Sequence, residues 1–165
     1  MTQAYTVPES ASIGHVHLKV ANIDRALEFY QGLLGFDVIK RLGDEAVFLS
    51  AGGYHHHIAL NTWHSKDMPP APKNAAGLFH MAILYPTRHD LSAILRRFMD
   101  AGVKLEGASD HGVSEALYFS DPDQNGIELY WDKPKSEWPK DDDGKLTLVG
   151  GRLDVDSLLA ETAVD

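Results

Sequence analysis

Residues 13–35 read IGHVHLKVANIDRALEFYQGLLG, and residues 78–102 read LFHMAILYPTRHDLSAILRRFMDAG. Each stretch opens on a short alternating run, the signature of a half-buried strand. Each continues into an amphipathic helical pattern and ends on a glycine stop, Gly35 in the first and Gly102 in the second. Asn22 and Asp24 offer caps for the first helix, whose apolar stripe is Ala26, Leu27, Phe29, Tyr30, Leu33 and Leu34. Three strand-like runs follow the first helix: FDVIKRL (36–42), EAVFLSA (45–51) and HHHIALNTW (55–63). Three follow the second: VKLEGA (103–108), EALYFSD (115–121) and GIELYWD (126–132). The grammar β-α-β-β-β is thus written twice. His15 falls on His80 at an offset of 65, Gly35 on Gly102 at 67, and Ile58-Ala59-Leu60 on Ile127-Glu128-Leu129 at 69. Strand, helix and strand markers agree in order, and small loop differences absorb the drift. The expectation is an α+β fold of two pseudo-twofold βαβββ modules, about 13–63 and 78–132, with a cleft between curved sheets.

Before the first module, residues 1–12 read as a polar, proline-marked arm, and residues 64–77 between the modules as a Pro/Ala-rich connector. The domain closes near residue 134, and residues 135–165 form a charged tail with a short helical look at DVDSLLAET (154–162). This tail is expected to pack on the body or on a partner subunit. Of the 165 residues, 44% are hydrophobic and 24% charged, which is ordinary globular composition. There is no cysteine, which excludes disulfides, zinc–thiolate sites and thiol catalysis. The formal net charge of −9 argues against nucleic acid or an anionic membrane as partner. The opening MTQAYTVPES has neither a basic nor an apolar run, so the cytoplasm is the expected location. Dimers are the commonest assembly, and a homodimer is expected here.

The repeat also organises the nine histidines. If equivalent strands face a shared cleft, positions 15, 80, 59 and 128 meet there. Three of them are His15, His80 and Glu128; the fourth is Ala59. Two neutral imidazoles and a carboxylate suit a divalent first-row metal such as iron(II) or manganese(II). With alanine at the fourth position, coordination sites stay open for a substrate and a small reactant.

The first module, His15-Val16-His17-Leu18 followed by DRALEFYQGLLGF, resembles the opening of the vicinal oxygen chelate superfamily. The segment DHGVSEALYFSDPDQNGIELYWDKP (110–134) looks like the signature of extradiol dioxygenases of the catechol 2,3-dioxygenase type. The resemblance covers residues 13–134 and implies a metal-dependent ring-cleaving dioxygenase that acts on a catecholic aromatic with O2. It implies His15, His80 and Glu128 as metal ligands and iron(II), or manganese(II), as cofactor. It further implies Tyr118 as a hydrogen-bond donor beside a substrate oxygen, His111 as a residue lining the substrate pocket, and His56 as acid/base. In an extended strand His55 and His57 share the face opposite His56, so a slip of one residue would hand them that role. Typical members of this branch carry two such domains, so pocket walls found there are missing here; the tail or a second chain could supply them.

Three rival activities belong to the same superfamily. Glyoxalase I-type lyases and epimerases use a fourth ligand where this chain has Ala59. Fosfomycin-type transferases share a three-ligand set. Bleomycin-binding members sequester a small molecule without metal.

Overall fold

The computed structural model describes residues 4–162; residues 1–3 of the expected arm and 163–165 of the expected tail lie outside the described residues. The first module runs β1 (Val16–Lys19), α1 (Ile23–Leu27), β2 (Asp37–Leu42), β3 (Ala46–Ser50) and β4 (Ile58–Asn61). The second runs β5 (Met81–Leu84), α2 (Arg88–Asp100), β6 (Gly107–Asp110), β7 (Ser114–Ser120) and β8 (Gly126–Asp132). A short β9 (Gly151–Arg152) and α3 (Val155–Ala160) complete the chain. The sheets have strand orders β1-β4-β3-β2 and β5-β8-β7-β6-β9. In each, the first strand lies parallel to the last of its module, and His17 pairs with Ala59 as Ala82 pairs with Glu128. The register therefore reproduces the offsets read from the sequence, and the fold is the expected α+β pairing of βαβββ modules.

Local chemistry sets the helices. The Asn22 side chain caps α1 by accepting from the Arg25 amide at 2.9 Å. The helix then widens into a π-helical turn, Glu28–Leu33, closed by the Leu34 amide donating to the Phe29 carbonyl at 2.8 Å. Both Phe29 and Tyr30 are buried by it. Thr87 caps α2, accepting from the Asp90 amide at 3.0 Å. Gly35 and Gly102 end the two helical segments at φ 85° and 70°, where a side chain is disfavoured.

The modules interlock through these helices. Phe98 of α2 packs its ring 5.7 Å from Phe29 and 4.6 Å from Phe119 of β7. The fully buried Tyr30 donates its hydroxyl to Asp121 at 2.8 Å, and Arg25 forms an ion pair with Asp123. The other Asp121 oxygen accepts from the Asp123 and Asn125 amides, each at 2.8 Å, which shapes the turn leading into β8. One buried carboxylate thus ties the first module's helix to the strand that carries Glu128.

Three expectations need correction. The triplet His55–His57 lies outside the strand, because β4 begins only at Ile58. The preceding Gly52 and Gly53, at φ 64° and 79°, bend the chain back before extended pairing starts. Likewise His15 and His80 each stand one residue before their strands, not within them. In VKLEGA only Gly107 and Ala108 join β6, whose pairing with β7 runs on to Asp110.

The tail packs on the body. Leu153 and Leu158 are buried, Asp154 caps α3 by accepting from Ser157 at 3.0 Å, and Arg88 bridges Glu115 and Glu161 at 2.7 and 2.6 Å. Among the described residues, no helix is long and apolar enough to cross a membrane.

Candidate functional site

Strand β8 carries Glu128, and its alternation points this carboxylate away from the buried Ile127 and Leu129. One Glu128 oxygen lies 2.7 Å from His80 Nε2. The other accepts from the Tyr118 hydroxyl at 3.2 Å, and His111 Nε2 lies 2.7 Å from that hydroxyl. The neighbouring strands β7 and β8 place Tyr118 directly opposite Glu128. Burial, and then the Glu128 charge, push the Tyr118 phenol up to about 12, so at neutral pH it keeps its proton and donates. His80 and Tyr118 border a cleft of about 480 Å³, whose rim includes Lys73, Phe79 and Glu106. That volume falls in the usual range for small-molecule sites, roughly 300–1,000 Å³.

An imidazole nitrogen and a carboxylate oxygen 2.7 Å apart fit two adjacent ligands of a first-row ion. An ion about 2.0–2.2 Å from each donor would spread the pair only slightly. His80 Nδ1 is buried without a hydrogen-bond partner. Gly126 holds the two strands at this spacing. A Cβ there would stand 2.2 Å from the Phe79 carbonyl oxygen and 3.0 Å from His80 Cβ. Gly126→Ala is expected to push the His80 segment off β8, costing about 1–3 kcal/mol by overpacking. Urea denaturation checks the stability, and a divalent-metal titration checks the accompanying loss of affinity.

His15 is placed elsewhere. Its ring lies 4.4 Å from that of His56, which in turn contacts Phe48 at 5.3 Å and His55 at 4.6 Å between centroids. Burial and the adjacent imidazoles, His15 first, hold His56 below the usual histidine range. His57 is tied into the backbone: its Nδ1 accepts from the Ala51 amide at 3.3 Å. His17 Nε2 meets Asn61 Nδ2 at 2.9 Å, with its ring edge-on to Trp63.

The chain keeps His15 away from His80 and Glu128. Beyond the C-terminal end of β1, the Ala21 amide donates to Asp123 at 3.1 Å, and Asn125 reaches the Lys19 carbonyl at 3.5 Å. That end therefore lies beside the entry to β8, next to His80. The other end, Ile13–Val16, shares a cavity with Met81–Leu84. His80 thus stands near the Lys19 end of β1, whereas His15 precedes the other end of that strand. Four strand residues span about 13 Å, whereas two ligands of one ion lie within about 4 Å of each other. Accordingly, among the described residues no three His, Cys, Asp or Glu side chains gather as a metal cage.

Comparison with known proteins agrees with this architecture. The profile of the glyoxalase/bleomycin resistance protein/dioxygenase superfamily matches residues 12–129. The chain belongs to that superfamily. Among its relatives is a catechol-2,3-dioxygenase from Bacillus subtilis (strain 168), 38% identical over 94% of this chain and 54% of that protein. Another is a biphenyl-2,3-diol 1,2-dioxygenase from Rhodococcus globerulus, 29% identical over 73% of this chain and 63% of that protein. The chain thus spans little more than half the length of these curated dioxygenases. A lactoylglutathione lyase from Agrobacterium tumefaciens has the same fold, with a TM-score of 0.59 at 20% identity over 76% of this chain and 96% of that one.

Sequence reasoning missed two residues of the site, Asp110 and Lys133, of which Lys133 lies beyond the matched residues 12–129 of the superfamily profile. Lys133 clamps Asp110, its Nζ donating to both carboxylate oxygens at 2.8 and 2.7 Å, directly beside His111. Nothing in the local sequence pairs residues this far apart; only the wrapping of the chain after β8 does so.

Proposed function

We propose that the chain is a metal-dependent extradiol dioxygenase that cleaves the ring of a catecholic aromatic with O2. The observation that carries this reading is the continuous array His80–Glu128–Tyr118–His111, an N/O ligand pair with a phenol donor on the same carboxylate. His80, Glu128 and His15 are the proposed ligands of iron(II) or manganese(II). When bound, the ion supplies a common point for the two vicinal oxygens of the substrate and for dioxygen. Tyr118, protonated at neutral pH, donates to a substrate oxygen. His111 lines the pocket and, because the single Tyr118 proton is given to another oxygen, donates from Nε2 to the Tyr118 oxygen. His56 moves protons; its lowered pKa leaves it neutral and ready to accept one near pH 7. Ala59 is fully buried and offers no donor where lyases of the superfamily place a fourth ligand, which favours oxygen chemistry over isomerisation.

Catechol turnover under ¹⁸O₂ tests this reading. The expected result is one O2 consumed per catechol, with both labelled atoms in a yellow ring-opened semialdehyde. Turnover of a glutathione thiohemiacetal without oxygen uptake would contradict it. His56→Ala is expected to leave metal affinity unchanged, whereas Tyr118→Phe, which removes the donor to Glu128, is expected to weaken it by no more than roughly 10–100-fold. Loss of a proton-transfer group lowers turnover by roughly 10²–10⁴-fold, and loss of one hydrogen bond to a charged oxygen by roughly 10–100-fold. Steady-state kinetics with matched metal analysis checks both.

The working form is proposed as a homodimer in which His15 comes from the other copy. The interlocks Tyr30–Asp121, Arg25–Asp123 and Phe29–Phe98 tie the two modules of one chain together, in an arrangement that gathers no three His, Cys, Asp or Glu side chains among the described residues. Each chain offers one His15 and one His80–Glu128 pair, so a two-fold dimer completes two equivalent sites. Ile13 and Phe79, the neighbours of these halves, are 89% and 88% exposed, which leaves apolar surface for a partner to cover. His15→Ala and Glu128→Gln chains are each expected to bind no metal tightly. An exchanged equal mixture is expected to recover about one quarter of the wild-type sites, since half of the dimers are mixed and each mixed dimer has one intact site. Recovery of none would place the ligands within one chain.

A further inference from the structure

Several contacts of the chain between β8 and β9 converge on one turn, Asp110–Val113. Lys133 Nζ holds both Asp110 oxygens at 2.8 and 2.7 Å, and the Lys133 amide donates to the Val113 carbonyl at 2.9 Å. Asp110 in turn accepts from the Gly112 amide at 2.8 Å. Trp138 Nε1 donates to the Lys133 carbonyl at 2.8 Å, which fixes the lysine's own backbone. Pro139 presses on Gly112, where a Cβ would stand 3.0 Å from the proline ring, and Gly112 has φ 77°. On the far side, β9 pairs Gly151 with Asp110 and Arg152 with Ser109. These contacts leave the turn little freedom. Its one imidazole, His111, points to the Tyr118 hydroxyl at 2.7 Å, and that hydroxyl reaches Glu128 at 3.2 Å.

We infer that Lys133 and Asp110 are positioning residues: the segment 133–152 braces the His111 turn, and through His111 it sets the direction in which Tyr118 donates. The inference rests on the site reading above, in which Tyr118 faces the substrate. The Lys133 ammonium is engaged with Asp110. Lys133 and the rest of the segment lie beyond the matched residues 12–129 of the superfamily profile, whereas Asp110 lies within them. Supporting groups of this kind carry effects of roughly 10–100-fold when removed.

Two arms test it. In the metal-free chain, the ¹⁵N imidazole spectrum of His111 reports its hydrogen bond to Tyr118 without any turnover. Lys133→Met and Asp110→Asn are expected to shift and broaden this signal, and Lys133→Arg is expected to restore it. In the metal-loaded protein, the same two variants are expected to lower kcat by about tenfold or more with KM and metal affinity unchanged, again with rescue by Lys133→Arg. An unchanged His111 signal in Lys133→Met overturns the brace. So does a fall in melting temperature with kcat intact, which marks a purely structural ion pair. If the His111 signal moves as expected but no catechol is turned over, the brace stands and the dioxygenase reading fails.

Discussion

Glu128→Gln is expected to abolish tight divalent-metal binding and ring cleavage while leaving the fold intact. The substitution keeps the shape of the side chain and an acceptor for Tyr118, so β8 and its pairing with β5 and β7 are undisturbed. What it removes is the negative charge that faces His80 Nε2 at 2.7 Å. An amide oxygen binds a first-row ion far more weakly than a carboxylate, and the remaining donor on this module is a single imidazole. Residues that merely support a ligand cost roughly 10–100-fold in metal affinity when changed; loss of a ligand itself is expected to exceed that. Titration calorimetry with manganese(II) measures it, and far-ultraviolet circular dichroism verifies the fold. An affinity within a few-fold of wild type would remove Glu128 from the metal site.

Phe98→Ala has the largest expected effect on stability. Phe98 is fully buried, and its ring joins Phe29 of the first module to Phe119 of the second. Truncating a buried phenylalanine costs about 3–5 kcal/mol through lost transfer energy and the cavity left behind. Each ring pair adds about 0.5–1.5 kcal/mol beyond its area. Against a typical domain stability of about 5–15 kcal/mol, this is a large fraction. Because the ring sits between modules, urea unfolding is expected to remain one transition with a much lower midpoint. A change below about 1 kcal/mol, within the range of surface substitutions, would mean that the modules do not share this core.

The repeat was legible because it rests on local chemistry. Alternation marked β1 and β5, glycine stops ended both helical segments, and GIELYWD matched β8 end to end. The equivalence of Ala59 and Glu128 also followed, since equal positions in equal modules take equal register. His80, Glu128, Tyr118 and His111 lie within one module; the repeat singled out His80 and Glu128, whereas Tyr118 and His111 were implied only by the resemblance to extradiol dioxygenases. The histidine triplet misled because three ring side chains before an apolar run look like a strand. The left-handed glycines at 52 and 53 turn the chain first. The position of His15 was out of reach for a different reason. How the modules sit against each other depends on Tyr30 meeting Asp121 and Arg25 meeting Asp123 across some ninety residues, and no periodicity records such contacts. The Lys133–Asp110 clamp is hidden in the same way.

A crystal structure of the manganese(II)-loaded protein, with the ion located by its anomalous signal, tests the central claim most directly. One ion per chain is expected, about 2 Å from His80 Nε2 and from a Glu128 oxygen, with His15 of the second copy as third ligand. An ion bound away from Glu128, or none at saturating manganese, would contradict it.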